Sequence, residues 1–442
     1  MKTLVFTICA RNYIGLSRVL QQSIARYGGP DVDFRIYVAE GTSDAGDEDA
    51  GRTIISAPEA LAPYIDAREF ANMAFMYNVT EFCTALKAAC FMHGFADGYD
   101  TCLYMDPDIL VVADLDHITR ELDDAAILIT PHLCLPATDE GPRTDRGILA
   151  TGVYNLGFLG LRRNAEAQTF LAWWHERLRT QAFNDHYHAL YTDQRWMDFV
   201  PSLFPAHAVK IWRHLGCNVA PWNYHERQIE PVGDGFVVRP RRDNVPSAGN
   251  AVPLVFLHFS GFDFRRILEG RFDQLNLADA ETHADLVPLY ERYGAAIQAL
   301  AGEMAGHLAQ SYGFDTFADG SLILPSHRRL FRIWKERHGL AADPFAVTPD
   351  SFHAALKARG LLARTGGADL AADKATARSI AAPERLLGRA RTVFRMLFRT
   401  LGRARFFLLV RSLNRLSHVE QHYDTFDLDR ASIACAPAGP AR

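Results

Sequence analysis

The sequence predicts an α/β domain with a Rossmann-like, mostly parallel central sheet and a C-terminal helical extension. Short apolar runs rich in β-branched residues alternate with helical spacing over the first part of the chain. That alternation stops after Phe264, and only helical spacing continues. The 442 residues, 48% hydrophobic and 22% charged, suffice for one large domain with additions or for two ordinary ones, and they exclude global disorder.

Thr3–Cys9 (TLVFTIC) reads as a buried strand, because a continuous apolar run suits a sheet covered on both faces. Gly15–Tyr27 follows as a helix, with Leu16, Val19, Leu20 and Ile24 on one face. Residues 33–40 form a second strand, 71–95 one long helix, and Thr101–Met105 a further buried strand. Strands are also expected at 126–130, 153–161 and 252–258. Helices are expected at 277–311, 326–338 and 351–359, and 364–382, rich in Ala, Gly and Thr, is a linker. The resulting division is 1–270, the α/β domain; 271–363, the helical extension; 364–382, the linker; 383–418, a basic amphipathic helix; and 419–442, a tail.

The charge balance is 47 basic against 52 acidic residues, net −5, which removes any whole-chain argument for nucleic-acid binding. That total hides an asymmetry. Between 378 and 415 lie ten arginines and a single acid, Glu384, a net +9 that leaves −14 on the rest of the chain. Leu387, Ala390, Phe394, Leu397, Leu401 and Leu408 fall on one helical stripe with arginines opposite, as in a helix lying on anionic lipid. Packing of this segment on the acidic body is the alternative. Seven scattered cysteines without a CxxC pair argue against a disulfide framework or a structural zinc site. The N-terminal apolar run is too short for a signal peptide, and no window reaches the ~18 residues of a membrane span. The expected place is the cytoplasm, peripheral on the inner face of the cytoplasmic membrane.

Four motifs carry chemistry. Asp106-Pro-Asp108 follows a buried strand directly; four other DxD occurrences in the chain do not. Ligands of open α/β sheets bind beyond strand carboxyl ends, and two carboxylates there suit a divalent cation, although Asp and Pro also favour plain turns. His258 ends an apolar strand ahead of Gly261, as a structural residue or as a third ligand whose imidazole suits Mn²⁺ better than Ca²⁺. Asn155 and Gly157 interrupt the strand 153–161, which reads either as a β-bulge or as backbone brought close to a ligand. Thr192, Asp193 and Gln194 open a helical stretch, where Thr192 also suits an N-cap.

Taken in this order, DxD, NxG, DQ and HFSG resemble the motifs of GT-A fold glycosyltransferases, in particular glycosyltransferase family eight and related retaining bacterial enzymes. The stretch ILVVADL (109–115) matches as well, and the resemblance covers about residues 1–270. It implies a nucleotide-sugar-binding catalytic domain in which Asp106, Asp108 and His258 hold Mn²⁺ or Mg²⁺. It places Ala10, Arg11, Asn12 and Tyr13 against the nucleoside, with Asp106 near the ribose. Lys87 falls near the donor phosphate or sugar, Asn155 and Gly157 beside the donor sugar, and Asp193 and Gln194 near the anomeric carbon. Where the family has Lys-Pro-Trp after the final glycine, Gly261, this chain has FDFRR (262–266), so Arg265 or Arg266 takes the diphosphate. Asn218, Trp222, Asn223 and His225 fall on the acceptor side.

The resemblance therefore implies a metal-dependent, retaining hexosyltransferase with a UDP-linked donor and a cell-surface polysaccharide or glycolipid acceptor. Asp193 is the better nucleophile of the DQ pair. A sugar-nucleotide nucleotidyltransferase on the same fold needs a Gly-rich basic loop after the first strand, which ICARNYIGLSR lacks. A non-catalytic, membrane-recruited scaffold is the third reading.

Overall fold

The computed structural model describes residues 1–42, 53–136, 145–241, 251–271, 283–363 and 383–429. The expected linker 364–382, with Arg378, and the end of the tail from 430 lie outside the described residues, as do the first residues of the expected helix 277–311.

The chain divides into two compact units. One comprises Met1–Asp66 with Val79–Tyr312, and the other Ala67–Asn78 with Gly313–Arg442. The first unit holds a seven-stranded sheet. Its strands are β1 (Thr3–Cys9), β2 (Val32–Val38), β3 (Ile54–Ser56), β4 (Thr101–Met105), β6 (Ile127–Pro131), β7 (Tyr154–Arg162) and β8 (Val209–Ile211). Their order across the sheet is β8-β6-β7-β4-β1-β2-β3, and β7 alone runs antiparallel to its neighbours. The α/β class, the mostly parallel sheet and the helical C-terminal region are those the sequence predicts. β1 and β4 are buried along their whole length, as their unbroken apolar runs require.

A short ribbon completes the site end of this unit. β5 (Ile109–Val111) pairs antiparallel with β9 (Phe256–His258), with Ile109 opposite His258. Its Ile109, Val111 and Phe256 join Val5, Leu103, Met105 and Phe158 in one core cluster, while Leu110 and Leu257 join a second, so burial fixes its position. The expected strand 252–258 is divided: Val252–Pro253 joins a separate three-stranded sheet, and only Phe256–His258 pairs with β5.

The expected helix 71–95 is three helices, Ala67–Met76, Val79–Ala85 and Lys87–Ala96. The first belongs to the second unit. The buried Arg328 guanidinium donates to the carbonyls of Ala74 (3.1 Å), Phe75 (2.7 Å) and Tyr77 (2.9 Å), satisfying groups that a helix end leaves open. Phe75 packs there against Phe317, Phe331, Phe345 and Phe352. In the expected helix 277–311, the described part is also two helices, Val287–Ala299 and Ala301–Leu308.

The basic segment departs from the single straight helix expected over 383–418. Pro383–Arg415 is helical on both sides of Gly402, whose φ of 71° and ψ of 171° leave the helical region. Phe406 then lies edge-on to Phe394 (6.0 Å) and Phe398 (5.2 Å). A continuous helix would separate positions 394 and 406 by about 18 Å, so the two arms fold back as a hairpin. Ala390, Phe394, Leu397 and Leu401 are half-buried, so much of the expected lipid-facing stripe is covered by the protein itself. Leu408 of that stripe is 67% exposed, and Val393, Met396, Phe398, Phe407 and Leu413, outside it, are exposed as well. The structure describes no side chain for Arg385, Leu387 or Arg415.

Spin labels at Arg391 and Arg411 measure the hairpin directly. A straight helix holds their backbones about 30 Å apart; the parent should give a much shorter distance. Gly402→Ala, forced into a region that only glycine occupies readily, should lengthen it.

Candidate active site

The site forms where the DxD turn leaves β4. Asp106 N–H donates to Gly157 O (2.8 Å), and Ile109 N–H closes the turn onto Asp106 O (3.1 Å). Because β5 then pairs with β9, His258 returns to the same turn, and Phe259 N–H donates to Asp108 O (2.9 Å). His258 Nε2 lies 3.1 Å from Asp108 Oδ1 and 3.5 Å from Asp106 Oδ2. One ligand atom from each of the three residues falls within 4.8 Å of the others. Two carboxylates and an imidazole are a donor set for a borderline divalent cation such as Mn²⁺, so the residues present fit the expected metal. Burial pushes the His258 imidazole down, while Asp108 and then Asp106 push it up more strongly; the net shift is upward. The Tyr104 hydroxyl donates to Asp106, a partner the sequence did not point to.

A cavity of about 280 Å³ opens beside this cluster, lined among others by Cys9, Ala10, Tyr13, Thr80, Asp106 and Asp108. Ala10 and Tyr13, expected against a nucleoside, both line it. Tyr13 packs edge-on against Phe264, 5.2 Å away, and its hydroxyl is raised by burial and by Asp108, with Arg265 acting against them. Arg265 is exposed on the short helix Phe264–Leu268, within electrostatic reach of the cavity mouth, while Arg266 pairs with Asp263 (3.6 Å). Burial pushes the Cys9 thiol up to about 12, which keeps it neutral and unreactive. Gly261, at a φ of 79°, makes the turn after β9 and does not line the cavity.

Other expected residues are engaged within the protein. The Arg11 guanidinium donates to Gly41 O (2.9 Å) and Glu40 O (3.2 Å), which ties it to the chain just after β2. Asn12 is half-buried beside it and outside the cavity lining. Lys87, expected at a donor phosphate, is 1% exposed; its Nζ meets Asp193 Oδ2 (2.7 Å) and Leu156 O (2.7 Å) and lies over the Tyr104 ring. Burial raises the Asp193 carboxyl, and Lys87 opposes that shift. Thr192, ahead of it, holds a left-handed φ of 49°, uncommon for a β-branched residue, and its hydroxyl bonds Asp193 Oδ1 (3.0 Å). The Gln194 carboxamide is spent on the chain at 151–156: Nε2 donates to Thr151 O (2.8 Å), and Oε1 accepts from Leu156 N–H (3.0 Å).

Asn155 and Gly157 occupy an irregularity in β7, where the register against β6 shifts between Ile129 and Thr130. The bulge reading and the close-approach reading thus coincide, but what approaches is His258. A Cβ on Gly157 would stand 2.3 Å from His258 Cε1. Asn155 is buried between His258, Gln194 and His132.

On the side expected for an acceptor, Trp222 lies edge-on to both His258 (5.2 Å) and His132 (5.2 Å). Asn223 donates to His132 O (3.1 Å) and Asn218 O (2.9 Å), and His225 is half-buried beyond them. Beneath this loop the buried Glu226 carboxylate accepts from Cys134 N–H (3.1 Å) and Leu135 N–H (2.8 Å). Arg227 pairs with it and donates to Leu215 O (2.8 Å) and Cys217 O (2.7 Å). His132, directly after β6, was missed by the sequence reading, although it carries the same strand-end signal as His258.

No family model matches the chain, and no curated protein matches it. Solved structures do. The galactosyltransferase LgtC, in complex with donor and acceptor sugar analogues, is 16% identical, with 69% of this chain and 100% of that one covered and a TM-score of 0.36. Mouse xyloside xylosyltransferase 1 is also 16% identical, over 49% of this chain and 86% of that one, with a TM-score of 0.33. The bifunctional glycosyltransferase WbbM is 13% identical, over 49% and 40%, at 0.32. Likeness at this level leaves function to be argued from the site.

Two substitutions check the site. Gly157→Ala should displace His258 and abolish Mn²⁺ binding in calorimetric titration while the fold persists. Lys87→Met strips a buried carboxylate of its cation, which typically costs about 3–5 kcal/mol. A clear fall in thermal unfolding temperature is expected, relieved when Asp193→Asn is added.

Proposed function

We propose that this chain is a metal-dependent, retaining glycosyltransferase of the GT-A type, transferring a hexose from a UDP-linked donor to a polysaccharide or glycolipid acceptor. The observation that carries the reading is the convergence of Asp106, Asp108 and His258, with the two carboxylates also lining a cavity that Ala10 and Tyr13 help to wall. In this reading the cavity takes the nucleoside, and the diphosphate lies over the three ligands. A bound Mn²⁺ or Mg²⁺ would supply Lewis-acid neutralisation of the charge that grows on the leaving diphosphate. Arg265, exposed near the cavity mouth, is suited to pair with the phosphates. Asp193 and Gln194 border the donor sugar, the first held by Lys87 and the second by the chain at 151–156. Both are thereby fixed in place, and proximity catalysis rewards fixed groups. Trp222, against His258, offers a wall for the acceptor.

In the same reading, the basic hairpin is the segment that meets an anionic membrane surface. Arg389, Arg391, Arg395, Arg399, Arg403, Arg405 and Arg411 are exposed, which supports this reading. Each arginine near anionic lipid contributes about 1 kcal/mol. No helix among the described residues is long and apolar enough to cross a membrane.

Calorimetric titration of Mn²⁺ with UDP should lose most of its heat in Asp108→Ala; unchanged binding would refute the metal reading. Proton NMR of the product from an α-linked donor should show an α linkage, and a β linkage would refute retention. For the membrane, sedimentation with anionic vesicles should fall as salt rises and be lost in R395E/R399E/R403E, with nucleotide-sugar binding intact. Equal sedimentation of parent and variant would remove the hairpin as the anchor.

A further inference from the structure

We propose that Asn155 is a positioning residue for the divalent cation: it keeps the His258 proton on Nδ1 and so turns Nε2 toward Asp106 and Asp108. The inference rests on the metal-dependent reading above and gives Asn155 a part that the resemblance does not, since there it serves the donor sugar.

The argument starts from backbone groups, whose donor and acceptor characters are fixed. Gly157 N–H donates to Asn155 Oδ1 (3.2 Å), so that atom is the oxygen. Leu156 N–H donates to Gln194 Oε1 (3.0 Å) and Gln194 Nε2 donates to Thr151 O (2.8 Å), so this amide has one orientation as well. Asn155 Nδ2 then donates to Gln194 Oε1 (3.3 Å). Flipping either carboxamide would set like against like. With its orientation fixed, Asn155 Oδ1 faces His258 Nδ1 at 3.3 Å, and an acceptor there requires a proton on Nδ1. In the neutral ring that a cation requires, the lone pair then falls on Nε2, the atom 3.1 Å from Asp108 and 3.5 Å from Asp106.

The other arm agrees. Asn155 Nδ2 lies 3.4 Å from His132 Nε2, which must accept, so His132 Nδ1–H donates to Val153 O (3.2 Å). Gly157 leaves the space for the His258 ring, and Trp222 closes its edge. Partners that hold the remote nitrogen of a ligating imidazole usually affect metal affinity by about 10–100-fold.

The test uses the full chain without nucleotide. Free Mn²⁺ is followed by electron paramagnetic resonance for the parent, Asn155→Leu, Asn155→Asp and Asp108→Ala, and the His258 tautomer is read by ¹⁵N NMR in the metal-free protein at alkaline pH. The proposal expects the Nδ1–H tautomer in the parent and a loss of Mn²⁺ affinity of about 10–100-fold in Asn155→Leu. Asn155→Asp, which keeps the acceptor, should bind within a few-fold of the parent. If Asn155→Leu binds as the parent does while Asp108→Ala does not, the proposal fails and the metal reading stands. If Asp108→Ala also binds normally, both fail. Should Asn155→Leu not fold, an Nε2–H tautomer in the parent overturns the proposal by itself.

Discussion

The site depends on one short antiparallel pairing, three residues of β5 against three of β9. β5 begins directly after Asp108 and β9 ends at His258, so the register that sets Ile109 opposite His258 also brings the imidazole to the two carboxylates. A slip by one residue would turn every side chain of β9 to the opposite face and remove the histidine. The register is held by burial: Ile109, Val111 and Phe256 share one apolar cluster with strands of the main sheet. Hydrophobic packing, distributed over many residues, thus fixes the relative placement of two carboxylates and an imidazole.

Two ion pairs are buried around that pairing. Lys87 with Asp193 and Glu226 with Arg227 are ion pairs almost wholly removed from water. Pairs of this kind add little net stability, because desolvation offsets the attraction. What they do here is hold loops: Lys87 links its helix to β7 at Leu156, and Glu226 with Arg227 links the 132–135 and 215–217 segments. The walls of the site are loops, and internal ionic ties fix their places.

The basic segment obeys a different constraint. Its arginines need water or an anionic surface, and its apolar side chains need cover. Gly402 lets the two arms meet, so half of the apolar stripe covers itself while the arginines stay outside.

The sequence by itself determined the α/β class, the strands that end at Asp106 and His258, and the charge asymmetry of the C-terminal segment. These depend on local periodicity and on residue types that act where they stand. Only the tertiary structure decided which polar groups are free. Arg11, Lys87 and Gln194 look in the sequence like groups awaiting a ligand, yet each is satisfied by residues between roughly thirty and a hundred positions away. It also decided that Ala67–Met76 belongs with residues beyond 313, through the Arg328 side chain that takes up its terminal carbonyls, and that 383–415 turns back at Gly402. The physical reason is common to these cases. Helix and strand periodicity is written in neighbouring residues, whereas a hydrogen-bond or ion-pair partner is chosen by whatever the folded chain brings within about 3 Å.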